Sequence, residues 1–256
     1  MKKFILTIFI TIFSILLSFG QNIAELKQKA EQGDAKAQLT LGLRYDNGEG
    51  IEKDFREAVK WYRKAAEQGL KEAQFNLGVC YNNGEGVEKD FREAVKWYRK
   101  AAEQGLKEAQ FNLGNRYYNG EGVEIDFREA VKWMRKSAEQ GFAKAQFMLG
   151  IFYEIGDGVE KDLREAVKDR REAVKWYRKS AEQGYVKAQG CLGICYYFGK
   201  GVIQNYVKAY AWLALASVTG DDNARKVMDI LKKDMTPTQI AEAQKLAEKY
   251  YNGKFD

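Results

Sequence analysis

A glycine-marked repeat of 36 residues is the feature that most restricts how this chain can fold. A glycine ends each motif of the form EQG or similar, and most successive ones are 36 residues apart, while one interval is 43. These glycines are Gly33, Gly69, Gly105, Gly141, Gly184 and Gly220. The segments 70–105 and 106–141 are nearly identical, which makes chance periodicity implausible. A period of this length is typical of helical repeat arrays.

Each repeat contains two predicted helices. In the first helix, apolar residues such as Ala109, Leu113 and Tyr117 recur every four residues, which places them on one face. The second helix, of the form DFREAVKWYRKAAEQG, opens with an aspartate and ends at a glycine suited to a left-handed C-terminal turn. Asp90 and Glu93 have the spacing of a capping box, so we expect each side chain to bind the other's backbone amide.

A single pair of such helices leaves an apolar face uncovered, so neighbouring pairs are expected to stack. The presence of one proline and 24 glycines in 256 residues also favours helices separated by glycine turns. We therefore predict an all-α solenoid of antiparallel helix pairs. The predicted division is a signal peptide at 1–20, a capping helix at 21–33, five repeats at 34–69, 70–105, 106–141, 142–184 and 185–220, and a C-terminal capping helix pair at 221–256.

The one irregular interval has a visible cause. The segment REAVKDR at 164–170 is followed by REAVKWY at 171–177, so seven residues are duplicated. Seven residues rotate a helix by only about 20° relative to whole turns. We therefore expect the second helix of the fourth repeat to be about two turns longer, with its core face preserved.

The N-terminal segment predicts export. Residues 1–20 begin with Lys2 and Lys3, continue with an apolar stretch over 4–17 and end with small residues, as in a secretory signal peptide. The apolar stretch is shorter than the roughly 20 residues of a spanning helix. We predict a periplasmic or secreted bacterial protein with no membrane span after cleavage, the alternative being an uncleaved N-terminal membrane anchor.

The composition disfavours catalysis. The chain has no histidine, which removes the usual general base near neutral pH and a common zinc ligand. Its three cysteines, Cys80, Cys191 and Cys195, cannot all pair within one chain; we interpret them as buried thiols, although a link between two copies through Cys80 stays open. The acids recur with the repeat as helix caps and surface charges. We predict no enzymatic activity, no cofactor and no metal site.

The charge pattern argues against a nucleic-acid partner. The formal net charge is +6, but the segment 70–105 has six basic and six acidic residues. Within the second helices the acids come first and the bases last, which suits the helix dipole. We therefore interpret these helices as presenting a solvated outer face and predict no binding to nucleic acid.

Positions of the first helices opposite the core face vary from repeat to repeat. Asparagine amides there can bind an extended peptide backbone, and aromatic side chains can provide apolar contacts. The phenylalanines Phe75, Phe111 and Phe147 have two interpretations, as groove residues or as packing between adjacent first helices. The predicted binding residues are Asn83, Asn115, Tyr118, Asn119, Ile155, Tyr197 and Phe198.

The pattern A-x-x-x-L-G-x-x-Y-x-x-G-x-G-V-x-x-D-x-x-x-A-x-x-W-Y-x-K-A-A-x-x-G, read from Ala73 through Gly105, resembles the Sel-one-like repeat family within the tetratricopeptide-like superfamily. The resemblance covers residues 21 to about 220, although the fifth unit has Asn205 where the aspartate cap belongs. It implies a right-handed superhelix that binds a protein or peptide partner in its concave groove, and we expect a monomer.

The resemblance also carries alternative functions. Distant cysteine-rich relatives are described as binding or cleaving β-lactams, but this chain lacks their paired cysteines. Weak β-lactam binding or hydrolysis, and an inhibitor or immunity-type binder, are therefore retained only as alternatives to a scaffold.

Overall fold

The structure, a computed structural model, describes residues 23–156 and 166–255. These residues form helices joined by turns, and they contain no β-strand. The predicted signal peptide lies outside the described residues. The helices are α1 (residues 23–31), α2 (Ala35–Asn47), α3 (Phe55–Glu67), α4 (Lys71–Asn83), α5 (Phe91–Glu103), α6 (Lys107–Asn119), α7 (Phe127–Glu139), α8 (Ala143–Ile155), α9 (Ala166–Glu182), α10 (Val186–Phe198), α11 (Tyr206–Val218), α12 (Asp222–Leu231) and α13 (Pro237–Tyr251).

The chain forms two compact units, one comprising residues up to 116 together with 120–124, the other comprising 117–119 and the remainder from 125. In the first unit, α2 packs on α3, α3 on α4 and α4 on α5. In the second, the same succession runs from α7 to α11, and α12 and α13 both pack on α11. Within each unit a second helix thus contacts the first helix of its own pair and that of the next. The predicted all-α fold of successive helix pairs is confirmed.

The starts of α3, α5, α7 and α11 are each fixed by an N-cap side chain. The Asp90 carboxylate accepts hydrogen bonds from the amides of Arg92 (2.8 Å) and Glu93 (3.1 Å), while its own amide donates to the Tyr81 carbonyl on α4 (2.9 Å). The predicted capping box is therefore wrong in its glutamate half. The Asp90 amide is already bound by the partner helix, and Glu93 instead pairs with Lys96 (2.9 Å).

In three of the repeats, the glycine inside the first helix admits a tyrosine ring from the second helix. A Cβ placed on Gly78 would lie 2.7 Å from the Tyr98 ring, and one on Gly150 would lie 2.5 Å from the Tyr177 ring. Both rings are buried. Because any side chain would collide with the ring, glycine at this position sets how closely the two helices of a pair approach.

A buried glutamine joins each first helix to the preceding second helix. Gln74 donates through Nε2 to the Ala66 carbonyl (3.1 Å) and accepts through Oε1 from Gln104 Nε2 (2.8 Å). The bond to a carbonyl recurs at Gln38, Gln110, Gln146 and Gln189. Each of these carbonyls also accepts from the amide of the glycine three residues later, so the glutamine is a second donor that links the two helices. The recurring A-Q and E-Q-G motifs carried this signal, which the sequence analysis did not use.

In two of the described G-x-G loops, the second glycine lies against the first residue of the preceding second helix. Gly86 has φ 72°, and a Cβ on it would collide with the Phe55 carbonyl. Gly122 approaches Phe91 in the same way. These loops therefore need glycine twice over, for the left-handed backbone and for the close approach.

The fourth repeat has a longer second helix with an unchanged core face. α9 spans 17 residues whereas α5 spans 13, so about one turn of the predicted two-turn extension lies within the described residues, which exclude 157–165. Ala173, Val174 and Tyr177 are buried like their equivalents in the other repeats. The predicted core face is thus kept in the regular part of α9, whereas the phase of the duplicated heptad at 164–170 stays a prediction.

Each end of the array is covered by a helix. At the N-terminal end, Ala30 of α1 is buried with Leu41 and Trp61. At the C-terminal end, α13 begins with a capping box between Thr236 and Gln239, as its sequence indicates, and the Tyr250 ring packs 4.6 Å from that of Trp212 on α11.

Candidate partner-binding sites

Four of the predicted binding residues occupy one equivalent position. Each is the last residue of a first helix and precedes a glycine of left-handed conformation, so its side chain lies at the exposed helix end. These residues are Asn83, Asn119, Ile155 and Phe198. The last two are 44% and 60% exposed, which is high for large apolar side chains. This position is therefore polar in the second and third repeats and apolar in the fourth and fifth.

Tyr118 and Tyr197 lie one residue earlier on their helices and have different surroundings. Tyr118 packs 5.3 Å from the buried Phe152 ring and 5.5 Å from Phe127, so it belongs partly to the core. Tyr197 packs 4.6 Å from Phe198, and its hydroxyl donates to Asp234 (2.8 Å). This hydrogen bond raises the pKa of Tyr197.

In two other repeats the same position carries a carboxylate that binds the tyrosine of its second helix. Asp46 accepts from the Tyr62 hydroxyl (3.1 Å), and Glu154 accepts from the Tyr177 hydroxyl (2.6 Å). Burial, together with these carboxylates, raises the pKa of both tyrosines. Their hydroxyls therefore stay protonated as donors.

The sequence varies at these two positions together. Where the second helix has Met134 or Leu213 in place of the tyrosine, the first helix has Tyr118 or Tyr197 in place of the acid. Without a hydroxyl to bind, a half-buried carboxylate would lack a partner. This paired variation is visible in the sequence. It gives a structural explanation for the presence of Tyr118 and Tyr197 at these positions.

The predicted asparagines are less available than their sequence positions indicate. Asn83 accepts from Asn82 (2.9 Å) and donates to Glu85 (3.3 Å), so its amide is engaged by its own loop. Asn115 is half-buried on α6, one turn before the exposed Asn119.

Two predicted binding residues, Tyr197 and Phe198, are in ring contact at the end of α10, and Tyr206 at the start of α11 packs on Tyr197. We call these three residues the aromatic end of α10. The Tyr206 ring lies 5.7 Å from Tyr197, and Lys200 Nζ lies 5.6 Å from the Phe198 ring. The following loop exposes Ile203, whose side chain is 91% exposed. The sequence analysis missed Tyr206 and Ile203, although Ile203 replaces a glutamate of the regular repeat.

The thiols are poorly suited to nucleophilic chemistry. Burial raises the pKa of Cys80 and of Cys195 to about 12 and that of Cys191 to about 11. Because the thiolate is the reactive form, these groups are inert near neutral pH. All three are free. Within residues 23–156 and 166–255 no cluster of acidic or cysteine side chains is arranged to hold a metal ion, and no helix there is long and apolar enough to cross a membrane.

Curated proteins and solved structures include clear relatives. Secretory immunoglobulin A-binding protein EsiB of Escherichia coli O6:H1 strain CFT073 is 45% identical over 68 residues, which are 25% of this chain and 14% of that protein. A Sel1 repeat protein from Oxalobacter formigenes is 35% identical with a TM-score of 0.76, covering 94% of this chain and 97% of that one. The protective antigen c5321 of uropathogenic Escherichia coli, which displays an SLR fold, is 36% identical with a TM-score of 0.58, covering 90% and 57%.

A family model shows how far the repeats extend. The model described as Sel1 repeat matches residues 35–70, 71–106, 107–142, 143–185 and 187–217, so five copies account for more than half of the sequence. The helix pairs, the loop glycines and the N-cap aspartates described above recur at this period. The chain therefore belongs to the Sel1 repeat family.

Proposed function

We propose that this protein is an exported scaffold that binds a protein or peptide partner at the ends of its first helices, with the aromatic end of α10 as the main contact. The observation that carries this proposal is Phe198, which is 60% exposed beside Tyr197 at a position occupied by asparagine in regular repeats. Exposed aromatic clusters lower solubility, and they are enriched among the residues that dominate protein interfaces.

The relatives support the class of function and no specific partner. EsiB is named for binding secretory immunoglobulin A, but it aligns over only 68 residues. What transfers to this chain is the expectation that Sel1 repeats mediate contacts between proteins. The basic and apolar segment at residues 1–20 supports export.

The composition, the buried thiols and the capping aspartates support a function without catalysis. The sequence contains no histidine, and burial keeps the thiols protonated. The aspartates at the helix starts are used in capping, as at Asp54 and Asp126. A scaffold needs none of these groups to react.

Crosslinking and mass spectrometry in the native cell envelope and culture medium test this proposal. The double variant Tyr197→Ala/Phe198→Ala should reduce capture of the crosslinked partner at least tenfold, because interface aromatics contribute about 2 kcal/mol or more each. Tyr251→Ala, which removes another exposed tyrosine on α13, is the matched control. Tyr197→Phe separates loss of the ring from loss of the bond to Asp234.

Undiminished capture by the double variant, with an unchanged circular dichroism spectrum, would refute the aromatic end of α10 as the binding surface. Equal loss in the Tyr251→Ala control would show that the effect is not specific to this surface.

A further inference from the structure

The phenylalanine of each regular first helix fills the space between neighbouring repeats. The Phe147 ring lies 5.9 Å from Tyr177 of its own second helix and 5.3 Å from Tyr185, the residue that precedes the next first helix. Phe75 packs 5.9 Å from Tyr98 in the same way. The contacts of Phe147 favour the packing interpretation for this residue, while Phe75 has the same contact within its own repeat.

The fifth repeat departs from this arrangement at three positions that lie together. Gly190 stands where the phenylalanine belongs, Asp221 stands where Tyr185 precedes the next helix, and Thr219 replaces the glutamine that pairs with the buried glutamine of the first helix. Each replacement removes a large side chain from the same place.

A cavity of about 580 Å³ opens at this place. Its lining includes Phe147, Gly190, Cys191, Ile194, Thr219 and Asp221. A Cβ on Gly190 would have Asp221 Oδ2 as its one neighbour within 4 Å outside its own helix backbone, at 3.3 Å, whereas one on Gly193 would lie 2.7 Å from Leu213. Gly190 is thus unlike the glycines that admit a ring or a methyl group of the second helix. Cavities of 300 to 1,000 Å³ are typical of ligand sites.

An acceptor oxygen accompanies the apolar walls, and a second lies buried on the residue that precedes Gly190. Asp221 Oδ1 accepts from the amides of Asn223 and Ala224, both at 3.0 Å, which leaves Oδ2 facing Gly190. Gln189 is only 5% exposed, and its Oε1 has no hydrogen-bond partner among the described residues. In the regular repeats that oxygen accepts from the glutamine that Thr219 replaces, as Gln146 does from Gln183 (2.7 Å). The cavity wall therefore carries one acceptor, Asp221 Oδ2, that a donor group from a ligand can bind.

We propose that this cavity takes the side chain of a tyrosine from the partner polypeptide. The ring occupies the space of the missing phenylalanine against Phe147 and Ile194, and the hydroxyl donates to Asp221 Oδ2. Phenylalanine would fill the same space but leave the carboxylate oxygen desolvated, so the site selects tyrosine. This inference rests on the proposed function and names one of its contacts.

Nuclear magnetic resonance of the purified protein tests the inference with N-acetyl-L-tyrosinamide as the probe. Saturable shifts of the Gly190, Cys191 and Asn223 amide signals are expected, with binding about tenfold tighter than that of N-acetyl-L-phenylalaninamide. Gly190→Phe restores the regular side chain and should weaken tyrosinamide binding at least tenfold. Ile230→Phe, which adds a ring at an exposed position of α12 outside the cavity lining, is the matched control and should bind within about threefold of the parent.

A second variant tests the hydrogen bond to the tyrosine hydroxyl without filling the cavity. Asp221→Ser keeps an N-cap oxygen for α12 but removes Oδ2, so the preference for tyrosinamide over phenylalaninamide should disappear. Melting temperatures of all three variants show whether each is folded. If Gly190→Phe does not fold, two results still test the inference. These are the amide shifts of the parent protein and the relative binding of the two probes to the Asp221→Ser variant.

Absence of shifts at these amides up to the solubility limit of the probe would overturn the inference, as would equal binding of the two probes by the parent protein. Partner capture that survives in folded Gly190→Phe but is lost in Tyr197→Ala/Phe198→Ala would refute the tyrosine site while leaving the proposed function standing. Undiminished partner capture by both variants would refute the tyrosine site and the proposed function together.

Discussion

The second and fifth repeats share a backbone frame but use their remaining positions differently. Gln74 and Gln189 donate to equivalent carbonyls at 3.1 and 3.2 Å. The N-cap amides of Asp90 and Asn205 both donate to a tyrosine carbonyl of the first helix at 2.9 Å. Close helix contact at glycine and capping by a short polar side chain thus persist in a repeat whose other residues have changed.

The differences between these repeats concentrate on the first helix and on the step to the next one. Phe75 of the second repeat corresponds to Gly190, and the exposed Asn83 corresponds to Phe198. The fifth repeat has therefore lost an internal aromatic contact and gained an external one. We infer that a small set of inward-facing residues specifies the pair, which leaves the other positions free to diverge toward binding.

Truncation of the core leucine should have the largest effect and should be alike in the two repeats. Leu77 and Leu192 are both fully buried, so Leu77→Ala and Leu192→Ala should each lower the free energy of unfolding by about 2 to 5 kcal/mol. Urea unfolding followed by circular dichroism measures this loss. A loss below about 1 kcal/mol in Leu192→Ala alone would show that the fifth repeat does not share the frame.

Alanine at the two glycines should act in opposite directions. Gly78→Ala places a methyl group 2.7 Å from the Tyr98 ring and should cost about 1 to 3 kcal/mol. Gly190→Ala meets only Asp221 Oδ2 outside its own helix backbone and should stabilise the helix by about 0.5 to 1 kcal/mol. Thermal melts of the two variants compare them directly. A destabilised Gly190→Ala variant would contradict the open space assigned to Gly190.

Removal of the N-caps should cost about 1 kcal/mol, with more lost in the second repeat. Asp90 accepts from two amides and carries a charge that favours the helix start, while Asn205 accepts from the Lys208 amide alone among the described contacts. Urea midpoints of Asp90→Ala and Asn205→Ala test this order. A greater loss of stability in Asn205→Ala would contradict it.

Restoration of the glutamine pair should have the smallest effect. Thr219→Gln supplies the donor that Gln189 Oε1 lacks among the described residues and should add about 0.5 to 1 kcal/mol to the free energy of unfolding. Gln104→Ala, which breaks the regular pair, is the converse variant and should destabilise the protein by a similar amount. Stabilisation by Thr219→Gln that also occurs in a Gln189→Ala background would exclude the pairing.

The sequence was sufficient for the helix pairs because the local signals agree with one another. Periodicity, aspartate caps and glycine ends all point to the same boundaries, and the structure places Asp90 and Gly105 as expected. It was insufficient for the capping box, because the Asp90 amide binds a carbonyl from another helix. A motif within one segment cannot reveal such a competitor.

The candidate sites were harder to predict because exposure depends on neighbours that are distant in sequence. Tyr118 and Tyr197 occupy equivalent positions, yet one packs on the core and the other on the exposed Phe198. The cavity at Gly190 combines three replacements separated by about 30 residues. Alignment of the repeats with one another would have revealed both, whereas a search for known catalytic motifs could not.

The contact between loop glycine and helix start has a consequence for how such proteins can grow. Gly201 lies against the Arg170 carbonyl inside α9, although elsewhere the same glycine meets the first residue of the helix. The contact between the loop glycine and this carbonyl, and not the first residue of the helix, therefore sets the spacing between adjacent repeats. A tandem duplication in the coding DNA can therefore lengthen the second helix of one repeat at its N-terminal end, while the repeats that follow keep their spacing.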